Sequence, residues 1–177
     1  MTTDASHAAN EELPPLSKED YKLYNNLAER MDYVHTHFRH TWTFLWETVA
    51  AEKRLSELEL SVFIQTGIDL ARQLTGHHRT EERLVFPILG KKMVEFRPDE
   101  GPLLGQHEKI HEGIEVFETY LRQCQNGKAT FEPSALRERM ESWGEVLWTH
   151  LDQEVATLAA ENMRKYWSTD EIRAMPW

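Results

Sequence analysis

The stretch GHHRTEERLVFPIL, residues 76–89, places His77 and Glu81 four positions apart. In a helix that is one turn, so both side chains leave the same face. His78 and Glu82 repeat the spacing one residue on, about 100° around the axis, and so point elsewhere. Leu70, Leu74, Leu84 and Ile88 fall within about 60° of His77, which puts the His77/Glu81 pair on an apolar stripe; Ile64, Ile68 and Ala71 lie nearer to His78 and Glu82. A buried imidazole beside a buried carboxylate is costly unless something satisfies both, and a metal ion does. Gly76 just ahead of the pair leaves room for another backbone or a ligand. Pro87 removes a backbone donor and is expected to kink or end the helix.

Two further pairs follow the same rule. His107 and His111 (HEKIH) share a face with Leu103, Leu104, Ile114 and Leu121. His150 and Glu154 (HLDQE) share one with Leu136, Met140, Trp143, Leu147 and Leu158. One pair could arise by chance in a chain with 30 acidic residues. Three pairs, each on the apolar face of a different predicted helix, form a pattern that a single pair does not.

The composition limits what such a pattern can serve. At 177 residues the chain is read as one domain with a substantial core. A net charge of −10 and the lack of a basic patch argue against nucleic acid. No apolar run approaches the roughly 20 residues that span a bilayer, so no membrane partner is expected. Cys124 is the single cysteine, which excludes an intramolecular disulfide and fits a reducing compartment. With no cationic and apolar segment resembling a signal peptide at the N-terminus, a cytoplasmic location is expected.

Residues 1–16, MTTDASHAANEELPPL, read as a flexible tail that contains an isolated His7. Ser17 with Asp20 reads as a capping box opening a long helix from Lys18 to Ala50. Its stripe is Leu27, Met31, Val34, Phe38, Trp42, Leu45 and Val49. His35 lies about 40° from the middle of that stripe, His37 about 120° and His40 about 180°, so His35 is the inward one. Ser56 with Glu59 opens a second helix, Glu57 to Phe86, after a polar connection through Glu52, Lys53 and Arg54. Residues 97–102, RPDEGP, form a loop. A third helix runs from Leu103 to Gln125, stopped by Asn126-Gly127, and a fourth from Pro133 to Tyr166. Ser168 and Glu171 suit the start of a short terminal helix. The expected fold is all-α: an up-down-up-down antiparallel four-helix bundle over 17–166 with a di-metal site in its core, followed by a C-terminal extension over 167–177. Phe38, Trp42, Phe63 and Trp143 are read as core filling.

The inward set is His35, His77, Glu81, His107, His111, His150 and Glu154. Five imidazoles and two carboxylates exceed one tetrahedral zinc. They suit two octahedral ions bridged by the carboxylates, with a position left for solvent or dioxygen, and the donor types favour iron or manganese. A zincin reading of His107-Glu108-x-x-His111 leaves the other two pairs unexplained. A ferritin-like site needs two Glu-x-x-His motifs, and only Glu108-x-x-His111 fits.

The order His, His-x-x-x-Glu, His-x-x-x-His, then His followed by an acid resembles the hemerythrin family, in particular its hemerythrin-like HHE cation-binding domains. His77-His78-x-x-Glu81-Glu82-x-x-x-Phe86-Pro87, His107-x-x-Ile110-His111 and His35-x-x-Phe38-Arg39 carry the resemblance, which covers about residues 20–165. It implies two iron ions joined by an oxo or hydroxo bridge. His107, His111 and His150 would hold one iron and His35 and His77 the other. Glu81 and Glu154 would bridge them, and dioxygen would bind end-on at the two-His iron. Oxygen-carrying hemerythrins have an aspartate five residues after the helix-four histidine, where this chain has Val155; Glu154 is the usual choice in hemerythrin-like domains. His37 and the His78/Glu82 pair are read as supporting or surface groups. The functional expectation is a non-haem di-iron protein that binds dioxygen as carrier, store or sensor. The alternative is a di-iron oxygenase or oxidase acting on a small organic substrate at the same site.

Overall fold

The computed structural model describes residues 13–52 and 54–177. Most of the expected tail, His7 and Lys53 lie outside the described residues. Within them the regular elements are all helices joined by loops, with no strand.

Helix α1 spans Lys18–Ala50 and begins where Ser17 accepts the Asp20 N–H. The cap is one-sided, because the Asp20 carboxylate accepts the Ser17 hydroxyl rather than a backbone amide. Helix α2, Glu57–Thr80, opens on a reciprocal capping box between Ser56 and Glu59. It does not continue regularly to Phe86 as expected. A π-helical turn occupies Glu81–Val85, closed by the Phe86 N–H donating to the Glu81 carbonyl, and α3 follows over Phe86–Leu89. Pro87 supplies the reason: it has no N–H, and its ring crowds the carbonyl four residues back, so the turn before it widens. The extra residue in that turn shifts every later side chain by about one position. Val85, Phe86 and Leu89 are buried, whereas Leu84, expected inward, is 59% exposed. Ile88, also expected inward, is half-buried.

A 3₁₀ turn at Val94–Phe96 leads into α4, Pro102–Gln125, with proline in its first turn. Gly127, at φ 68, takes the left-handed conformation that ends the chain's helical run there. The fourth expected helix is two: α5, Pro133–Thr157, and α6, Ala160–Tyr166, separated at Leu158 and Ala159. The α6 N-terminus is held from across the fold, where the Asn25 side-chain oxygen accepts the Ala160 N–H. Asn162 closes the break from the other side by donating to the Thr157 carbonyl. Helix α7, Thr169–Arg173, carries a Ser168/Glu171 capping box.

The four long helices pack in a ring, with α1 against α2 and α5, and α4 against α2 and α5. At Gly113 the α4 and α5 backbones come so close that a Cβ would stand 2.2 Å from the Trp143 ring. Gly76 has no such role: a Cβ there would meet nothing within 4 Å, so no backbone approaches it.

Two apolar clusters fill the interior. One joins Phe38, Trp42 and Leu45 of α1 to Phe63 through Leu74 of α2, Ile110 through Leu121 of α4, and Leu136 through Leu151 of α5. Trp42 meets Trp143 edge-on at 4.5 Å between ring centroids, which places the expected aromatic residues in the core. The other joins Tyr24 through Met31 to Val85, Phe86, Leu89, Phe96, Leu103, Leu158, Met163 and Trp167. Residues after α6 contribute to it: the Tyr24 hydroxyl donates to the Trp167 carbonyl at 2.9 Å. Along each long helix the residues between the two clusters are His35, His77–Glu81, His107, and His150–Glu154. A polar layer therefore crosses the bundle between two dry halves. No helix among the described residues is long and apolar enough to cross a membrane.

Candidate metal centre

Buried polar residues need partners, and this layer holds six that are almost wholly inaccessible: His35, His78, Glu81, His107, His150 and Glu154. His77 joins them with a side chain 13% exposed. Their ligand-type atoms converge into two groups within which all lie inside 4.8 Å: His35, His77, Glu81 and Glu154, and His78, Glu81, His107 and His150.

Three of the imidazoles, His35, His107 and His150, turn one nitrogen inward while the other is tied outward. His35 Nδ1 meets the Leu151 carbonyl at 3.2 Å. His107 Nδ1 meets Glu82 Oε1 at 2.8 Å, and His150 Nδ1 meets Gln106 Oε1 at 3.2 Å. An acceptor at Nδ1 holds the proton there and leaves Nε2 as a lone pair, the arrangement that metal-binding histidines need. Inside the layer those Nε2 atoms crowd together: His35 to His77 at 3.1 Å and His107 to His150 at 3.3 Å. The carboxylates lie between the groups. Glu81 reaches His77 with one oxygen at 2.8 Å and His107 with the other at 3.5 Å. Glu154 Oε2 stands 3.4 Å from His35 and 3.6 Å from His150.

Electrostatics favour the neutral form of six of these groups. Burial pushes His77 down to about 3, and the neighbouring His35 and His107 add to the shift. Burial also lowers His150, to about 2, again with other imidazoles beside it. His107 falls only to about 4 because Glu82 opposes the burial. His78 lies well below the ordinary value, from burial first and then the surrounding imidazoles. Burial, then Glu154 and Glu82, raises the Glu81 carboxyl well above the usual range. Burial raises Glu154 too, opposed by the neighbouring His35.

These residues could hold a metal cation. The buried oxygens of Glu81 and Glu154 and both nitrogens of His78 have no hydrogen-bond partner, a costly arrangement in a dry interior. Lone pairs about 3.0 to 3.4 Å apart are what neighbouring corners of a coordination shell with bonds of about 2.1 Å require. Neutral imidazole is the binding form, and a cation at this position restores the ionised carboxylates.

Most of the expected set is brought together: His35, His77, Glu81, His107, His150 and Glu154 all stand in the two groups. His37 and His40 are exposed, and His37 bonds Gln73 at 3.0 Å. Two positions differ. His111 is half-buried and outside both groups, its ring edge-on to His78 at 5.2 Å. His78, expected to point elsewhere, is fully buried within the second group. The cause is the true centre of each helix face. Taking the buried residues of α2 together, their mean direction passes within about 10° of His78 and about 90° from His77. Ile64, Ile68 and Ala71 point to that face, and Leu84, which weighted the count towards His77, is carried outward by the π-helical turn. In α4, Ile110, Phe117 and Tyr120 rotate the buried face, leaving His107 about 60° and His111 about 100° from its centre.

A family model, the hemerythrin HHE cation binding domain, matches residues 26–161. That is most of the chain, and the chain belongs to this family: it is a cation-binding, hemerythrin-like protein. No curated protein and no solved structure gave a match.

Proposed function

We propose that the chain is a non-haem di-iron protein that binds dioxygen, built as an up-down-up-down four-helix bundle around a carboxylate-bridged pair of ions. The observation that carries this reading is the placement of Glu81 and Glu154, each with oxygen atoms near imidazoles of both donor groups. Two donor groups that share Glu81, with Glu154 of the first also 3.6 Å from His150 of the second, call for two ions rather than one. Imidazole and carboxylate together favour iron or manganese over softer-metal chemistry. A reduced iron pair supplies two electrons to dioxygen.

The protein's own residues would hold His35 and His77 on one ion and His107 and His150 on the other, and keep water away. Met31, Phe38, Leu70 and Leu74 are buried close to His35 and His77 in the helices, and Phe38 meets the His77 ring at 5.2 Å. A dry wall of this kind slows proton entry and favours holding a small apolar gas. Glu154 in place of the carriers' aspartate alters the bridge, and autoxidation faster than in a dedicated carrier is expected.

A second reading, oxidation of a small organic substrate, draws support from a cavity of about 480 Å³ lined by Phe86, Pro87, Phe96 and Leu104. Glu82, which bonds His107, also lines it. This cavity stands on the His107 side rather than beside His35 and His77.

The test begins with iron loading and elemental analysis, with two iron ions per chain expected; one zinc per chain would remove the di-iron reading. The reduced protein is then mixed with air while its visible absorption is followed. A long-lived band that disappears when oxygen is removed supports carriage. Immediate permanent oxidation, with consumption of an added organic substrate, favours the oxygenase reading.

A further inference from the structure

Of all the buried polar side chains near the centre, His78 is the one whose position the family's ligand order does not account for. It is fully inaccessible, and neither ring nitrogen has a hydrogen-bond partner. Its ring lies flat on His107, with centroids 3.9 Å apart and planes 9° from parallel. It stands edge-on to His150 and His111, each at 5.2 Å. The groups around it offer little relief. His107 and His150 have committed their Nδ1 atoms to Glu82 and Gln106. A structural histidine buried in this way normally keeps at least one nitrogen bonded.

We infer that His78 is itself a metal ligand, binding the same ion as His107 and His150 in the place the ligand order gives to His111. The inference rests on the metal-binding reading above. Its donor atom already lies within 4.8 Å of those of Glu81, His107 and His150, whereas His111 stands outside that group. Helix α2 and its π-helical turn then form a clip. His77 serves one ion, His78 the other, and Glu81 lies between them. Adjacent residues can diverge to two ions because they leave the helix about 100° apart, and Glu81, one regular turn after His77, stands in both groups. His111, edge-on to His78, lies outside that shell as its neighbour.

The test uses the full chain loaded with Co²⁺, whose visible spectrum reports coordination, in wild type, His78→Phe, His78→Gln and His111→Gln. Phenylalanine keeps the stack on His107 and removes both unpartnered nitrogens, so metal-free His78→Phe should melt no lower than wild type. Both His78 variants should lose at least one of two Co²⁺ ions on dialysis, or release it about tenfold faster or more, with a changed spectrum. His111→Gln should retain two ions and the wild-type spectrum. Loss of Co²⁺ from His111→Gln to the same extent as from the His78 variants would overturn the placement of His78 in the stead of His111. Retention of two ions and an unchanged spectrum in both His78 variants overturns the inference while leaving the di-metal reading intact. A wild type that binds neither Co²⁺ nor iron overturns both.

Discussion

The two donor groups are anchored by different means. In the first, His35 is fixed by a backbone carbonyl, that of Leu151 in the facing helix. In the second, His107 and His150 are fixed by side chains, Glu82 and Gln106. Gln106 in turn accepts no rigid support but donates to Gln153 at 2.7 Å, and the Glu82 side chain is 34% exposed. The first group is therefore set by the α1–α5 packing itself, and the second by replaceable side chains near the surface. A carbonyl in a packed helix cannot be mutated away or titrated; a carboxylate and an amide can. The second group is where sequence change or a bound molecule can tune this centre, while the first is fixed as long as the bundle is.

The largest effect should come from what the groups share. Glu81→Ala should abolish loading at both positions, and Glu154→Ala should weaken both. A ligand at about 1,000 times its Kd adds about 4 kcal/mol of stability, and the variants forfeit most of that gain. Without metal the same substitutions remove a buried acid with few partners and should cost little or even stabilise. Thermal melts with and without iron decide the matter, since equal shifts in both media would make these acids structural.

Next comes a variant confined to one group. His35→Ala should empty the first position and leave about one ion per chain by elemental analysis, while His40→Ala, on an exposed position, should leave two. The reverse result would show that the two groups are not the ones described. A smaller change is expected at the second group's anchor. Glu82→Ala should lower affinity there by about 10- to 100-fold, without altering the first position, as read by competitive chelator titration. Equal weakening at both would remove the contrast between backbone and side-chain anchoring.

The smallest effect is that of pH on the metal-free fold. Four imidazoles, His77, His78, His107 and His150, are held below their ordinary 6.5. Below pH 6.5 the unfolded chain takes up protons that the folded one refuses, so stability falls as pH drops towards about 4. Glu81 and Glu154 act oppositely: raised above 4.5, they bind protons in the fold that the unfolded chain has released, and this softens the slope. Three of the four imidazoles are in the second group. His78→Phe should therefore flatten the acid limb seen in urea titrations at successive pH values, and an unchanged limb would place the titration elsewhere.

Much of this arrangement was legible in the chain. The 3.6-residue stripes and the caps at Ser17, Ser56 and Ser168 locate helix starts from local chemistry alone. Each apolar stripe is interrupted once by a histidine or acid pair, and that interruption predicts the polar layer. These features depend on neighbours within a turn or two, which is why spacing reveals them.

What the tertiary structure decided lies at longer range. The break between α5 and α6 is held partly by Asn25, 135 residues away, which accepts the Ala160 N–H. The π-helical turn before Pro87 rotates everything after it, so an unbroken helical wheel misplaces Leu84 and Ile88 and weights the choice between His77 and His78 wrongly. The same holds in α4, where packing against α2 and α5 sets the rotation that buries His107 and leaves His111 at the edge. Periodicity fixes which residues share a face; how far each helix is turned towards its neighbours is fixed by the fit of side chains between them, and that turn selects which histidines meet.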